Sequence, residues 1–462
     1  MATLPEGTLM QRAATGLAVA CAQRLVGVYG ARVVLLVGTG NNGADALWAG
    51  ARLAARGAAV SAVLAGSADV DALSALRAAG GRVAGPAALD DADLVIDGLV
   101  GIGGTGALRP AAAALVVEGE HVVAVDVPSG VDADTGAVAG PAVRAGLTVT
   151  FGTSKPGLHV GAGRGHAGRV ELVDIGLAPY LPTAVVQILE RTDVDMLLPL
   201  RPAGGDKYAS GVVGVAAGSS QYTGAAVLAT GAAVRAGAGM VRFVGVAHAA
   251  DQVRGRWPEA IVTTVKPGDG AGVIAVGQVQ AWVVGPGLGT DAAAAAVVQA
   301  VLASDVPVLV DADALTLCAQ HPEWLRARTA ATLLTPHDGE FERFGRPLGA
   351  DRIGAVQAVA RDLGVTVLLK GDATIVSDGA RVLVNDTGSP VLATAGTGDV
   401  LSGGCGALLA QGLDALHAGA VGAYLHGLAG ALSAEGGPTS ASRVLERWPD
   451  AVRAIRTGTL QS

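Results

Sequence analysis

The sequence predicts two successive α/β domains, each built on a mainly parallel sheet with helices on its faces. Three observations predict it. Short apolar runs rich in Val and Leu alternate with Ala-rich stretches whose apolar positions recur at helical spacing. Glycines follow those runs directly, as in RVVLLVGTG and AWVVGPGLG, where a strand must turn tightly into a helix. The chain has 462 residues, a length that accommodates about two to four domains and more than one core.

Taken in order, residues 6–27 read as a leading helix. Strand-like runs follow at 32–37 (RVVLLV), 58–65 (AAVSAVLA), 93–100 (DLVIDGLV), 121–128 (HVVAVDVP), 147–152 (LTVTFG) and 168–176 (GRVELVDIG). Short apolar runs bounded by Gly and separated by helices imply a doubly wound parallel sheet. The rhythm loosens over 177–200, which holds Pro179, Pro182 and Pro199. The domain boundary is placed there, giving domains 1–190 and 195–462. The same rhythm resumes at 211–218, 281–289, 306–315, 331–337 and 365–371, and beyond Asp399 the chain reads as mostly helical.

Hydrophobic residues make up 51% of the chain and aromatics 3%, so Val, Leu and Ala must build the cores. A net charge of −8 and a pI near 5.5 argue against a nucleic-acid partner, which needs a basic footprint. The opening stretch MATLPEGTLMQRAATGL lacks the basic-then-apolar plan of a secretory leader. Mean hydropathy is positive, +0.48. The uncharged stretch 209–234 is nevertheless interrupted by Gly, Ser, Gln, Tyr and Thr, unlike a membrane span. Cys21, Cys318 and Cys405 lie far apart without metal-binding spacing. Buried reduced thiols and a soluble cytoplasmic protein are expected.

Two glycine turns stand out in the first half. Gly38-Thr39-Gly40-Asn41-Asn42-Gly43 matches GxGxxG between a strand and a helix, and Gly101-Ile102-Gly103-Gly104-Thr105-Gly106 repeats it after 93–100. Such turns bring backbone N–H groups to a phosphate. The acidic residue that usually closes the second strand of a hydride-transfer site is missing from AAVSAVLAGS. A phosphate-rich ligand is implied, but not an ordinary dehydrogenase. Asp97 and Asp126 fall late in apolar runs, toward the crevice where such sheets bind ligands; a cap or turn role is the alternative. Asn42, Asp97 and Ser129 would supply only oxygens, which suits a hard cation and not zinc.

The set GTGNNGAD, DGLVGIGGTG, AVDVPSG and TFGTSKPGL resembles the NAD(P)H-hydrate epimerase (YjeF N-terminal) family, which implies a Rossmann-like domain. Carried over residue by residue, the resemblance implies potassium ligands Asn42, Asp97 and Ser129. It implies ligand contacts from Asn41, Asn42, Gly43, Ala44, Asp45, Gly101, Ile102, Gly103, Gly104, Thr105, Gly106, Ala107 and Asp126. Interconverting R and S hydrates at C6 of the damaged nicotinamide needs proton transfers, for which a carboxylate in a half-dry crevice serves. Asp126 is the candidate acid/base and Lys155 of SKPGL its partner. The family's NNGGDG reads Asn41-Asn42-Gly43-Ala44-Asp45-Ala46 here. A positive φ at residue 44 or 46 would cost roughly 1 kcal/mol or more.

In the second half, Ala395-Gly396-Thr397-Gly398-Asp399 precedes the helical run VLSGGCGALLAQGL. Glycines at a helix start aim N–H groups at one point, an anion hole for phosphate charge. The aspartate after them can accept a proton from an attacking hydroxyl or simply cap the helix. Together with KYASG, GSSQYTGAAVLATGAAVRAGAG, VVGPGLG, TPHDGE and LLKGDATIV, this motif resembles the ADP-dependent NAD(P)H-hydrate dehydratase family. The resemblance implies a ribokinase-like domain in which ADP phosphorylates the C6 hydroxyl and phosphate is then eliminated. It implies Asp399 as base, an anion hole of Gly396, Thr397 and Gly398, and nucleotide contacts from Lys370, Gly371, Asp372, Ala373 and Thr374. Ala225, Gly287, His337 and Asp399 would contact the hydrated nicotinamide. TPHDGE departs from the usual TPHPGE. Mg²⁺ is expected with ADP. Hydrated NADH and NADPH are the expected substrates, with no membrane partner and a homo-oligomeric state. The alternative is a ribokinase-like hydroxyl kinase fused to a non-catalytic dinucleotide-binding module.

Overall fold

A computed structural model describes Pro5, residues 7–200 and residues 207–459. Part of the opening stretch MATLPEGTLMQRAATGL lies outside the described residues. The chain divides into two compact units, the first ending at Ala184 and the second beginning at Val185, residues 350–352 aside.

The first unit opens with a helix, Thr8–Arg24. Its strands are β1 (Arg32–Val37), β2 (Ala59–Leu64), β3 (Arg82–Val83), β4 (Leu94–Gly98), β5 (Glu118–Val125), β6 (Arg144–Phe151) and β7 (Arg169–Val173). They form one sheet in the order β3-β2-β1-β4-β5-β6-β7, parallel at every pairing. Side chains alternate across a strand, so β1 feeds two cores. Val33, Leu35 and Val37 pack with Leu17, Leu47 and Leu53, while Val34 and Leu36 pack with Val95, Leu115 and Val122. Truncating fully buried Leu35 to Ala is expected to cost about 2–5 kcal/mol. From β1 the chain runs outward to β2 and β3, then returns to β4 on the other side. The crevice beyond the carboxyl ends of β1 and β4 is therefore the topological switch point.

The second unit contributes β8 (Val186–Ile188), β9 (Val212–Ala216), β10 (Met240–Gly245), β11 (Ile261–Thr264), β12 (Ala281–Val284), β13 (Val308–Val310), β14 (Thr332–Leu334), β15 (Thr366–Leu369), β16 (Thr374–Ser377) and β17 (Val382–Asn385). Their order is β11-β10-β9-β12-β13-β14-β15-β16-β17-β8. The block from β11 to β15 is parallel, and β16 reverses against both β15 and β17. Helices Thr397–Ala410, Ala415–Ala434 and Ala441–Thr457 complete the chain, and Leu401, Leu408, Leu425 and Trp448 bury one face of the sheet.

Sequence reading leaves residues 185–190 in the first domain, but β8 pairs in parallel with β17. The boundary moves to Val185 because the strand's hydrogen-bonding partner lies almost two hundred residues downstream, beyond any local pattern. All three cysteines are free and buried, and burial pushes the Cys21 and Cys318 thiols up to about 12. Among the described residues no helix is long and apolar enough to cross a membrane.

Candidate active sites

In the first unit the loops after β1 and β4 face each other across the switch point. A Cβ on Gly38 would overlap the Leu99 carbonyl, and one on Gly43 would overlap the Gly38 carbonyl. Those two glycines let the loops and the helix pack together. Gly40, Gly103 and Gly106 have open space where a Cβ would be, so a ligand can reach the backbone there. Between the loops lies a cavity of about 520 Å³, walled by Gly38–Asn42, Gly101, Gly103–Leu108 and the cationic Arg109.

Asn42 Nδ2 donates to the Val125 carbonyl, tying the first glycine loop to the end of β5. Asp126 follows at once with φ +68°, a conformation that costs a non-glycine residue about 1–3 kcal/mol. The bend turns its carboxylate toward β6, where Oδ1 accepts from Thr150 Oγ1 at 2.9 Å and Phe151 N at 3.2 Å. Lys155 Nζ donates to the same oxygen at 2.5 Å and to the Phe151 carbonyl at 3.1 Å. Both side chains are largely buried. Asp45 sits one turn into helix Asn41–Ala55, and its Oδ1 is buried without a hydrogen-bond partner. Burial, then the Asp126 charge, pushes its carboxyl up to about 7.

Asp97 is fully buried at the end of β4. Its oxygens accept from Ser129 N at 2.8 Å, Ser129 Oγ at 2.7 Å and Leu99 N at 3.2 Å. Burial raises its proton affinity against those bonds. Amides and a hydroxyl therefore surround a carboxylate sealed from water, which is costly unless a positive charge joins them.

In the second unit the site lies beyond the ends of β13, β14 and β15. Gly396 takes φ +88° and caps helix Thr397–Ala410, with Asp399 in its first turn. Burial first, then the neighbouring Asp311 carboxylate, raises Asp399 to about 7, while Lys370 pulls it down. Lys370 Nζ donates to Asp311 Oδ1 at 2.9 Å and lies 3.7 Å from Glu340 Oε2. Burial pulls this ammonium down, but the Asp311, Glu340 and Asp399 charges outweigh it and hold it raised. Asp311, 1% exposed, also accepts from Ser402 Oγ at 2.7 Å. A cavity of about 480 Å³ opens beside this network. Its wall includes His337, Lys370–Asp372, Thr374, Thr397, Gly398 and the apolar Pro390 and Leu392.

A family profile described as NAD(P)H-hydrate dehydratase matches residues 213–446, and one described as YjeF-related protein N-terminus matches residues 6–157. The bifunctional NAD(P)H-hydrate repair enzyme of Mycobacterium tuberculosis is 51% identical over 82% of this chain and 79% of its own. That of Corynebacterium glutamicum is 35% identical over 75% and 72%. This chain belongs to the bifunctional NAD(P)H-hydrate repair enzyme family. A solved structure from Bacillus subtilis, described as an ADP/ATP-dependent NAD(P)H-hydrate dehydratase co-crystallised with ATP and Mg²⁺, is 28% identical. It superimposes with a TM-score of 0.53 over 59% of this chain and all of its own. A ribokinase-like protein from Enterococcus faecalis, 26% identical, gives 0.54 over 60% and 98%. The second unit thus has the ribokinase-like fold.

Against this repair-enzyme family, the sequence-predicted residues separate into two groups. Asn41, Asn42, Gly101, Gly103, Gly104, Thr105, Gly106 and Ala107 wall the first cavity. Gly43, Ala44 and Asp45 are buried behind it in the helix, and Ile102 projects outward, 61% exposed. Neither Ala44 nor Ala46 has positive φ, since both lie inside the helix; the strain considered for them does not arise. In the second unit Ala225 approaches Gly287, where an added Cβ would stand 3.1 Å from the Ala225 methyl. His337 stands in two settings at once. Its Nδ1 accepts from Gly339 N at 3.0 Å as a helix cap, and the residue walls the nucleotide-sized cavity. Ala373 and Gly396 stand outside that wall, as does Asp399 beside it. Sequence reasoning missed Asp311, Glu340 and Ser402. Asp311 closes the apolar run VLVD, the same strand-end position that singled out Asp97.

Proposed function

We propose that the first unit epimerises the R and S hydrates of NADH and NADPH and that the second dehydrates the S form at the expense of ADP. The observation that carries the second assignment is a buried carboxyl poised near 7, Asp399, standing between an anion-binding helix start and a lysine-lined cavity large enough for a nucleotide. Asp399 removes the proton from the C6 hydroxyl as its oxygen attacks the β-phosphorus of ADP, and AMP departs. Gly396, Thr397 and Gly398 N–H groups and Lys370 hold the phosphate charge that develops. The C6–O bond then breaks, phosphate leaves, and loss of a proton from C5 restores the dihydronicotinamide. Lys370–Thr374 and Gly398 hold ADP, while Ala225, Gly287 and His337 hold the hydrated ring. Among the described residues no group of three His, Cys, Asp or Glu could hold a metal, so Mg²⁺ would arrive on the ADP phosphates.

In the first unit Asp126, held by Lys155, and Asp45 share the proton transfers, and the glycine loops bind the dinucleotide phosphates. Asn42, Asp97 and Ser129 would supply oxygens to a potassium ion, and the Asp97 carboxylate, buried with hydrogen bonds from Ser129 and Leu99 but no cation among the described residues, supports that reading. Such an ion would offset the charge of Asp97 and of nearby phosphate. Buried reduced thiols support a cytoplasmic location, and the exposed Met196 and Leu200 support a homo-oligomer.

The deciding experiment supplies an R/S hydrate mixture with ADP, Mg²⁺ and potassium and follows recovery of the dihydronicotinamide absorbance. Complete conversion is expected. Conversion that stalls once the S form is consumed would remove the epimerase assignment. Phosphorylation of a hydroxymethyl heterocycle in preference to the hydrate would favour the kinase alternative.

A further inference from the structure

The dinucleotide substrate has two halves, and the chemistry at Asp399 engages only one. The order of strands limits where the other can go. The nucleotide cavity lies over β14, β15 and β16, on the Lys370 and Gly398 side of Asp399. Of the residues assigned to the hydrated ring, Ala225 and Gly287 stand on the opposite side, after β9 and β12, so the rest of the dinucleotide extends along the carboxyl edge in that direction. That side is linked to the base: Asp313 raises the proton affinity of Asp399, and its Oδ2 accepts from Gly289 N at 2.8 Å in the loop after β12. The same loop is pinned to the one after β9 by Gly218 N donating to the Pro286 carbonyl at 2.8 Å.

One strand further along that edge lies a separate cavity of about 210 Å³. The loops after β9, β10, β11 and β12 enclose it. Its floor is apolar, with Val244, Val265, Leu288 and Val297, and its polar groups are Ser219, Ser220, Lys266 and Asp291, whose carboxylate is engaged as the cap of helix Ala292–Leu302, accepting from Ala294 N at 2.8 Å. An apolar slot with a few polar groups at its rim suits a flat heterocyclic base. The exposed Lys266 adds a cation suited to a phosphate on the attached ribose. The edge therefore carries, in order, a nucleotide-sized cavity, the base Asp399, the glycine loop after β12, and this slot.

We propose that the slot at the ends of β9 to β12 binds the adenosine-phosphate half of the hydrated dinucleotide. This rests on the dehydratase reading and adds the path of the substrate to it. Binding energy from this non-reacting half holds the C6 hydroxyl against Asp399.

The test compares two substrates on the full chain with ADP and Mg²⁺: the hydrate of NADH, and the hydrate of reduced nicotinamide mononucleotide, which lacks the adenosine half. Ser220→Trp fills the slot and Lys266→Glu reverses its charge. Both positions are exposed, and thermal melting checks that each variant folds. The expected result is a rise of about tenfold or more in kcat/KM-limiting KM for NADH hydrate with both variants. KM for ADP and all constants for the mononucleotide hydrate stay at wild-type values. Unchanged KM for NADH hydrate, or an equal change for both substrates, overturns the proposal. Wild-type protein that dehydrates neither hydrate would instead remove the dehydratase reading beneath it.

Discussion

The two units contain the same electrostatic device on different scaffolds. In the first, Asp45 is raised to about 7 by burial and by Asp126, and Lys155 pairs with Asp126. In the second, Asp399 is raised to about 7 by burial and by Asp311, and Lys370 pairs with Asp311. Each is a buried acid beside a carboxylate–lysine pair. The difference lies in what else touches the acid. Lys370 itself lowers Asp399, which also occupies the first turn of its helix, where a negative charge is favoured. Asp45 has no cation among its influences and one oxygen without a partner. One arrangement favours a base that only accepts a proton from a hydroxyl. The other suits a group that must give and take protons, as epimerisation requires.

The comparison breaks most directly at the carboxylate assigned to the chemistry in each unit. Asp399→Asn is expected to lower the dehydration rate by about 10²–10⁴-fold and leave epimerisation unchanged; Asp126→Asn should do the reverse. Rates of each step, measured separately on resolved hydrates, check this. Loss of both activities in either variant would show that the two devices are not independent.

Smaller effects sharpen it through pH. Asp399 is ionised above its value of about 7 and protonated below it, so dehydration should fall about tenfold per pH unit as pH drops below 7. Asp311→Asn removes a neighbour that raises Asp399, so this acid limb should move to lower pH while the KM for ADP rises as Lys370 loses its counter-charge. A lysine clamp without electrostatic influence on the base would change KM and leave the limb in place. In the first unit, Asp45→Asn should flatten the epimerase profile around neutral pH, because the group that is half-protonated there is gone.

Much of this was legible in the sequence, for physical reasons that also mark its edge. Strands with strong apolar runs such as RVVLLV announce themselves, and their bounding glycines locate the crevice. β3, two residues long, and β8, a three-residue strand paired across the chain, carry no local pattern to read. Asp399 is visible because a glycine turn precedes it. The pairing of Asp311 with Lys370 joins residues 59 apart, and that of Asp126 with Lys155 depends on a left-handed bend at a non-glycine residue. Asp45 stands in the NNxxD motif, but its acid/base character arises only from burial beside Asp126.

The smallest expected effects concern the two places where the chain departs from its family's motifs. Ala44 lies inside a helix, so Ala44→Gly should destabilise the first unit by about 0.5–1 kcal/mol through backbone entropy. Asp338 is the first residue of helix Asp338–Phe341, capped by His337. Proline favours that position, because its φ is preset for the first turn of a helix. The preceding residue must be extended, and His337 already is, at φ −82° and ψ 173°. Proline would contribute about 0.4–1 kcal/mol, while the lost charge at the helix start gives up about 0.3–1 kcal/mol. The two nearly cancel, so Asp338→Pro should shift the melting temperature by at most about 2 °C with the KM for ADP unchanged. A tenfold change in that KM would mean that the Asp338 carboxylate, and not merely its place in the cap, acts on the nucleotide. The second unit's resemblance to the first would then end at Lys370.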